Sequence, residues 1–155
     1  MTVTHVREIM QEKIVTIAAG DSLSTVEDIM TLGGVRHIPV VHAGKLVGVV
    51  SERDLLRASL SALNETGVDQ RRAFLHAVEI GRVMSTPPIV IEPDAKVENA
   101  ALVMAEKRIG CLPVMEGDEL IGLITEKDVL LYVARFADGG PEAVQVRPRE
   151  RRRKA

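Results

Sequence analysis

The sequence predicts an α/β (α+β) fold in which two β-α-β-β-α repeats pack as a pseudo-twofold pair. The first observation is a duplication: residues 6–56 align without a gap on residues 80–130, and ten of the 51 pairs are identical, where composition alone would give about three. The second is that each copy alternates short β-rich runs with apolar spacing typical of helices. The third is size. A unit of about 50 residues cannot bury one sheet face and two helix faces alone, so the copies must pack on each other.

The identical pairs extend through the whole unit, and most of the other pairs exchange one aliphatic residue for another. The pairs are Met10/Met84, Ile17/Ile91, Met30/Met104, Pro39/Pro113, Val40/Val114, Leu46/Leu120, Gly48/Gly122, Glu52/Glu126, Asp54/Asp128 and Leu56/Leu130.

Each copy begins with a β-rich run, residues 14–17 in the first and residues 89–91 in the second. Helix-start signals follow at Asp21-Ser22 and at Pro93-Asp94. The next apolar residues are spaced three and four apart, which predicts one buried helix face in each copy. They are Leu23, Val26 and Met30, and then Val97, Ala100 and Met104.

Two further β-rich runs in each copy predict a hairpin. Residues 38–41 and 46–50 are separated by Ala43-Gly44, and residues 112–115 and 120–124 are separated by Gly117-Asp118. Ser51 and Thr125 then open second helices, whose apolar residues are Leu55, Leu56, Leu60 and Val129, Leu130, Val133. Residues 57–79 join the copies, and residues 71–79 are expected to add a helix there.

We expect residues 1–70 to form the first repeat with its following linker helix, residues 71–137 the second repeat, and residues 138–155 a flexible basic tail. Residues 147–155 carry a balance of +5, although the whole chain has a formal charge of −2. The simplest interpretation is a solvated terminus. The alternative is a weak contact with nucleic acid, anionic lipid or an acidic partner.

The amino-acid composition argues against several classes of function. Aromatic residues make up 2% of the chain, so the stacking platforms of single-stranded nucleic-acid binders are missing. Cys111 is the only cysteine, which excludes an intrachain disulfide or a cysteine-based zinc site, and we interpret it as a small core residue. There is no leader-like segment and no apolar run of about 18 residues, so we expect a cytoplasmic protein without a membrane partner.

An enzyme is not expected. The four histidines, His5, His37, His42 and His76, are scattered, and the sequence has no His-x-x-x-His pair, no Gly-x-Ser-x-Gly elbow and no phosphate-binding Gly-Lys-Ser/Thr loop. We therefore predict no catalytic residue, no metal ligand and no cofactor other than a regulatory ligand.

The recurring chemistry is Gly-x-x-Ser/Thr-x-x-Asp at the end of each copy, from Gly48 to Asp54 and from Gly122 to Asp128. A strand glycine lets a ligand approach the backbone, and the hydroxyl lies at a helix start that favours anions. The Asp one turn later can accept the two hydroxyls of a ribose. Ser/Thr-x-x-Asp/Glu is also the capping-box pattern, which needs no ligand. Its repetition in one register favours binding, and one residue can serve both roles.

In these segments the sequence resembles the tandem CBS (cystathionine β-synthase) domain family. The resemblance rests on the leading segments 6–10 and 80–84, the strands 37–41 and 111–115, and the two Gly-x-x-Ser/Thr-x-x-Asp endings. It covers about residues 3–136 and implies two sheets that face each other and leave two clefts for AMP, ADP, ATP or a related adenosyl ligand.

The resemblance also implies residue roles. Asp54 and Asp128 would hold ribose hydroxyls, with Ser51 and Thr125 near ribose or phosphate. Arg53 and Lys127 lie at the same helix starts. The backbone and aliphatic side chains that would enclose adenine are Val15, Thr16, Ile38 and Pro39, or Ile89, Val90, Leu112 and Pro113.

The copies differ in charge. Arg36-His37 precedes the first Ile-Pro-Val, whereas Gly110-Cys111 holds the matching place in the second copy. Since phosphate recognition needs positive charge, we predict one better-equipped cleft, with Arg36 and His37 at its phosphate end. A solvated helix-end cation is the alternative for Arg36.

The sequence as a whole predicts a regulatory sensor of adenine nucleotides and not an enzyme. We expect it to be a homodimer that acts on a separate protein through conformational change or partner binding. The alternative is a ligand-free dimerisation or interaction scaffold. A third, weaker reading is nucleic-acid binding through the tail.

Overall fold

The computed structural model describes residues 3–67 and 70–136, and in this part of the chain two repeats follow each other in the predicted order. The elements are α1 (Val6–Ile9), β1 (Ile17–Ala18), α2 (Leu23–Gly33), β2 (His37–His42), β3 (Lys45–Ser51), α3 (Glu52–Thr66), α4 (Arg71–Ala77), a 3-10 turn (Ile80–Arg82), α5 (Val97–Lys107), β4 (Cys111–Glu116), β5 (Glu119–Thr125) and α6 (Glu126–Phe136). The basic tail predicted at 138–155 lies outside the described residues.

Both predicted hairpins are confirmed and share one register. His37 pairs with Ser51 across β2–β3, and Cys111 pairs with Thr125 across β4–β5. The first turn is the two-residue type that suits strand twist, because Ala43 and Gly44 have φ values of 49° and 75°. Because the two hairpins have the same register, Ser51 and Thr125 are each the last residue of a hairpin. Each of them immediately precedes the next helix.

The first strand of each copy is shorter than predicted. Strand β1 pairs in parallel with β2 only at residues 17 and 18, and the second copy keeps a single bridge between Ile91 and Val114. On the partner strands, the residues that precede Val40 and Val114 are Pro39 and Pro113. Proline has no N–H to donate, so the parallel pairing does not extend past these positions. The β-rich composition was therefore a correct signal for the strand but not for its length.

The helix faces predicted from spacing are buried in two cores. Leu23, Val26 and Met30 of α2 join Ile38 and Val50 in the first core. Ala100 and Met104 of α5 join Leu112, Val114 and Ile124 in the second. The start of α2 at Ser22 is confirmed, whereas α5 begins after Lys96 rather than at Pro93-Asp94.

The leading segment of each repeat packs against the other repeat. Val6 N–H donates to the Ala95 carbonyl over 2.8 Å, and the matched Ile80 N–H donates to the Asp21 carbonyl over 2.9 Å. Further along, Gln11 pairs with Leu123 and the matched Ser85 pairs with Val49, again through the backbone. Each repeat therefore docks its first residues on the sheet of the other, as expected of a pseudo-twofold pair.

The predicted linker helix is present as α4 and is tied to α2. Arg71 and Arg72 both contact the Glu27 carboxylate, and Arg72 also contacts Asp28 at 2.9 Å. The Arg71 hydrogen bond lowers the pKa of Glu27 below its ordinary value. Among the described helices, none has the length and apolar character to cross a membrane.

Candidate functional site

A cleft of about 510 Å³ opens between the two repeats, beside the start of α3. Its wall combines the first repeat's helix start with the loop and strand start of the second repeat. The lining residues are Arg36, His37, Val49, Ser51, Glu52, Arg53, Asp54, Leu56, Arg57, Ser85, Pro87, Pro88, Ile89, Arg108, Ile109, Gly110, Cys111 and Glu126. The structure thus brings Ser51, Arg53, Asp54, Arg36 and His37, five of the residues predicted for the site, into one cavity.

Ser51 and Asp54 form a complete capping box at the cleft wall. The Asp54 N–H donates to Ser51 Oγ at 3.2 Å, while the Ser51 N–H and Oγ–H donate to Asp54 Oδ2 at 2.8 and 2.9 Å. All hydrogen bonds that the described residues make to this carboxylate end on Oδ2. The cap therefore fixes the orientation of the carboxylate, and Oδ1 keeps its capacity to accept further hydrogen bonds.

Four arginines line the cleft, against three carboxylates. Arg36, Arg53 and Arg57 come from the first repeat and Arg108 from the second. Arg53 and Arg57 are one helical turn apart on α3, so their side chains leave the same face. Arg36 lies 3.5 Å from a Glu52 carboxylate oxygen, and 79% of its side chain is exposed.

His37 lies over Gly110 at the contact between the repeats. A Cβ on Gly110 would lie 2.6 Å from His37 Nε2, so the absence of a side chain there makes room for the ring. Burial lowers the pKa of His37 below its ordinary value, against the opposing effect of Glu126. The ring is therefore neutral near pH 7 and offers a hydrogen-bonding edge rather than a charge.

Cys111 lines the cleft but is not a reactive thiol. Its side chain is buried, and burial raises the pKa of the thiol to about 12. The thiolate is the nucleophilic form, so the interpretation of Cys111 as a core residue is confirmed.

The residues predicted to enclose adenine are dispersed. Ile89 lines the cleft. Val15, Thr16 and Val90 are exposed at positions that this cleft does not include. The adenine role of these last three stays a prediction.

The remaining four candidates for the adenine pocket are buried. Ile38 and Leu112 are fully buried in the first and second core, and Pro39 and Pro113 are also buried. Because these four side chains are buried, they are not available as a cleft wall, and only their backbone could meet a ligand.

The second motif lies outside this cleft. Thr125 and Asp128 repeat the capping box, with the Thr125 N–H donating to Asp128 Oδ2 at 2.8 Å. Lys127 is exposed on the same turn. The side-chain amide of Gln11 also reaches this carboxylate, 3.3 Å from Oδ1 and 3.2 Å from Oδ2.

The motif glycines have a different role from the one that the sequence suggested. A Cβ on Gly48 would lie 2.7 Å from Met84 Sδ, and one on Gly122 would lie 2.6 Å from Met10 Sδ. The space beside each glycine is filled by the leading segment of the other repeat. The prediction that these glycines admit a ligand was therefore wrong; they admit the partner repeat's methionine.

Sequence reasoning missed Arg57 and Arg108. Arg57 could have been found from its spacing of four from Arg53, which places both on one helix face. Arg108 follows α5 of the second repeat and could be found only by knowing that the second repeat supplies a wall of the first repeat's cleft.

The fold and the cleft together define a paired-repeat module with a polar cavity between its halves. The CBS domain family model matches the chain twice, over residues 6–61 and 80–135, and the chain belongs to this family as a tandem pair. It spans about a fifth to less than half of the length of the first curated relatives that it matches, and some of those longer relatives carry enzyme names.

Solved structures share the fold. A protein with CBS domains from Burkholderia ambifaria has a TM-score of 0.76 at 26% identity, with 91% of this chain and 100% of that chain covered. CBSX2, solved in complex with AMP, has a TM-score of 0.70 at 23% identity, with 83% and 95% covered. The CBS domain pair of MJ0100, solved with 5-methylthioadenosine and S-adenosyl-L-methionine, has a TM-score of 0.70 at 22% identity, with 84% and 96% covered.

Proposed function

We propose that this CBS pair is a regulatory module that binds an adenine nucleotide in the cleft beside α3 and passes its occupancy to a partner protein. The observation that carries the proposal is the combination, in one cavity, of the Ser51–Asp54 helix start with four arginines. Adenosyl ligands in the related CBSX2 and MJ0100 structures support the ligand class.

Asp54 is the ribose acceptor in this proposal. Its carboxylate is held by Ser51 through two hydrogen bonds to Oδ2, so the two ribose hydroxyls can donate to the two lone pairs of Oδ1. Each hydrogen bond to a charged group contributes about 1.5–3 kcal/mol. Because the carboxylate is already oriented, little side-chain entropy is lost on binding.

The phosphates are held by the arginines. Arg53 and Arg57 on α3 and Arg108 from the second repeat approach the cavity from different sides, and planar guanidinium groups bind phosphate oxygens in pairs. Four cations exceed what one phosphate needs. We therefore expect ATP and ADP to bind more tightly than AMP.

The adenine ring packs on the aliphatic part of the wall. Pro87, Pro88 and Ile89 precede the bridge at residue 91 of the second repeat, and Val49 of β3 lines the same cavity. A flat base can lie against such side chains without an aromatic partner.

A homodimer is part of the proposal. The second helix of each repeat leaves large apolar side chains exposed, and a second copy of the chain with the same two helices would cover them. These side chains are Leu56, Leu60 and Leu63 on α3 and Leu130, Val133 and Phe136 on α6.

Calorimetric titration with AMP, ADP, ATP, NAD and S-adenosylmethionine tests the function. We expect saturable binding of the adenine nucleotides to the intact chain and its loss in Asp54→Ala. Asp128→Ala is the matched control, because it removes the equivalent cap outside the cleft, and it should keep the affinity. Absence of binding by the intact chain would instead support the ligand-free scaffold, and equal binding by Asp54→Ala would contradict the assignment of the ligand to this cleft.

A further inference from the structure

The two Ser/Thr-x-x-Asp turns have the same internal geometry but different neighbours. In the first repeat the Asp54 carboxylate takes its hydrogen bonds, within the described residues, from Ser51 alone. In the second repeat Asp128 receives the matching bonds from Thr125 and also contacts the Gln11 side-chain amide through both oxygens. The difference lies in the segment that docks from the other repeat.

Gln11 and Ser85 hold equivalent positions, 74 residues apart. Gln11 is fixed by two backbone hydrogen bonds with Leu123, of 2.8 and 2.9 Å, and Ser85 by two with Val49, of 2.9 and 3.1 Å. Each residue therefore lies beside the motif of the opposite repeat. The long amide side chain of Gln11 reaches the carboxylate, while Ser85 has a short side chain and lines an open cleft.

We infer that Gln11 is a built-in competitor for the ribose acceptor of the second repeat, which keeps Asp128 covered and leaves the first cleft as the nucleotide site. Both contacts come from the single amide nitrogen, Nε2, to the two carboxylate oxygens, so the amide occupies the edge of the carboxylate to which ribose hydroxyls would donate. A nucleotide must displace Gln11 to use Asp128, and the fixed backbone keeps the amide at high local concentration. The inference rests on the proposed function and specifies which of the two sites is used.

Exchange of the two side chains tests the inference by AMP titration. Gln11→Ser gives the second repeat the residue found at the first cleft, and we expect a second binding event, about tenfold tighter than any second event of the intact chain. Adding Asp128→Ala to Gln11→Ser should remove that event. Ser85→Gln, the reciprocal change, should weaken binding at the first cleft by about tenfold.

The outcomes separate the two proposals. AMP binding that depends on Asp54, together with a second event unchanged by Gln11→Ser, would overturn the role of Gln11 and leave the proposed function standing. Two equal events in the intact chain would do the same. Absence of both AMP and ATP binding by every variant, Gln11→Ser included, would overturn the proposed function and with it the inference. The denaturation midpoint of each variant shows whether it is folded. If Gln11→Ser does not fold, Ser85→Gln still tests the mechanism independently.

Discussion

At the scale of single residues, the two repeats differ in the charged residues around their motifs and in the side-chain amide of Gln11. Arg36, Arg57 and Arg108 of the first cleft correspond in the 74-residue register to Gly110, Leu131 and Gly34. The sequence suggested the asymmetry through Arg36 and His37, which face Gly110 and Cys111 in the alignment of the copies. The other two arginines strengthen it, because phosphate binding increases with the number of guanidinium groups that converge on it.

Replacing Arg57 by Leu, the residue at the equivalent position 131, tests this charge assignment. We expect ATP affinity to fall about tenfold and AMP affinity to fall less than about threefold, because the distal phosphates lose a charge-assisted partner. Titration of both nucleotides measures the ratio. Arg82→Leu removes the same charge from an exposed position outside the cleft and should leave both affinities unchanged; equal losses of ATP and AMP affinity in Arg57→Leu would contradict the assignment.

Glu27 gives the molecule a defined acid sensitivity. Its pKa is lowered from 4.5, chiefly by the Arg71 hydrogen bond, so its contribution to the free energy of unfolding is present above pH 4.5 and is lost as the pH falls through the lower folded value. We expect Glu27→Gln to be less stable than the intact chain by about 1–2 kcal/mol at pH 7. Urea denaturation at several pH values should show that difference shrinking below pH 4.5, and a difference independent of pH would contradict the pairing.

At the scale of elements, periodicity was a reliable guide and single-residue interpretation was not. The three-and-four spacing at Leu23, Val26 and Met30 predicted a buried helix face because core packing imposes that period. The motif glycines carried no such signal. Their tight neighbours, Met10 and Met84, belong to the opposite repeat, and nothing local in the sequence indicates which segment will dock there.

Gly48→Ala tests the docking of the leading segments. Its Cβ would meet both Met84 Sδ and the Ser85 carbonyl at 2.7 Å, and backbone can give way only by loosening the contact between the repeats. We expect the free energy of unfolding to fall by about 1–3 kcal/mol. Gly20→Ala is the matched control, since no atom lies within 4 Å of a Cβ there; chemical denaturation that finds the two variants equally stable would contradict the close packing.

The exposed helix faces predict the assembly state. Leu60 of α3 is 62% exposed, and Leu102 of α5 is 56% exposed on a different helix. We expect Leu60→Glu to shift a dimer to monomer in sedimentation velocity, because a buried unpaired carboxylate opposes association, while Leu102→Glu leaves the dimer intact. A monomeric intact chain, or a dimer unaffected by Leu60→Glu, would contradict a dimer through α3 and α6.

At the scale of the whole molecule, the duplication explains both the fold and the site. Residue matches such as Asp54/Asp128 predicted two copies in one pseudo-twofold pair, and that architecture is confirmed. The cleft could be predicted only in part, because one wall comes from each repeat. The Ser51–Asp54 wall is local and was visible as a motif, whereas Arg108 and Pro88 reach it only through the packing of the second repeat.

The central claim is that one cleft built by both repeats holds an adenine nucleotide. ATP titration of the intact chain, Asp54→Ala and Arg108→Ala tests it most directly, because the two residues lie in different repeats and line the same cavity. The account predicts that each substitution alone weakens ATP binding about tenfold or more. Full ATP affinity in Asp54→Ala, or no ATP binding by the intact chain, would contradict it.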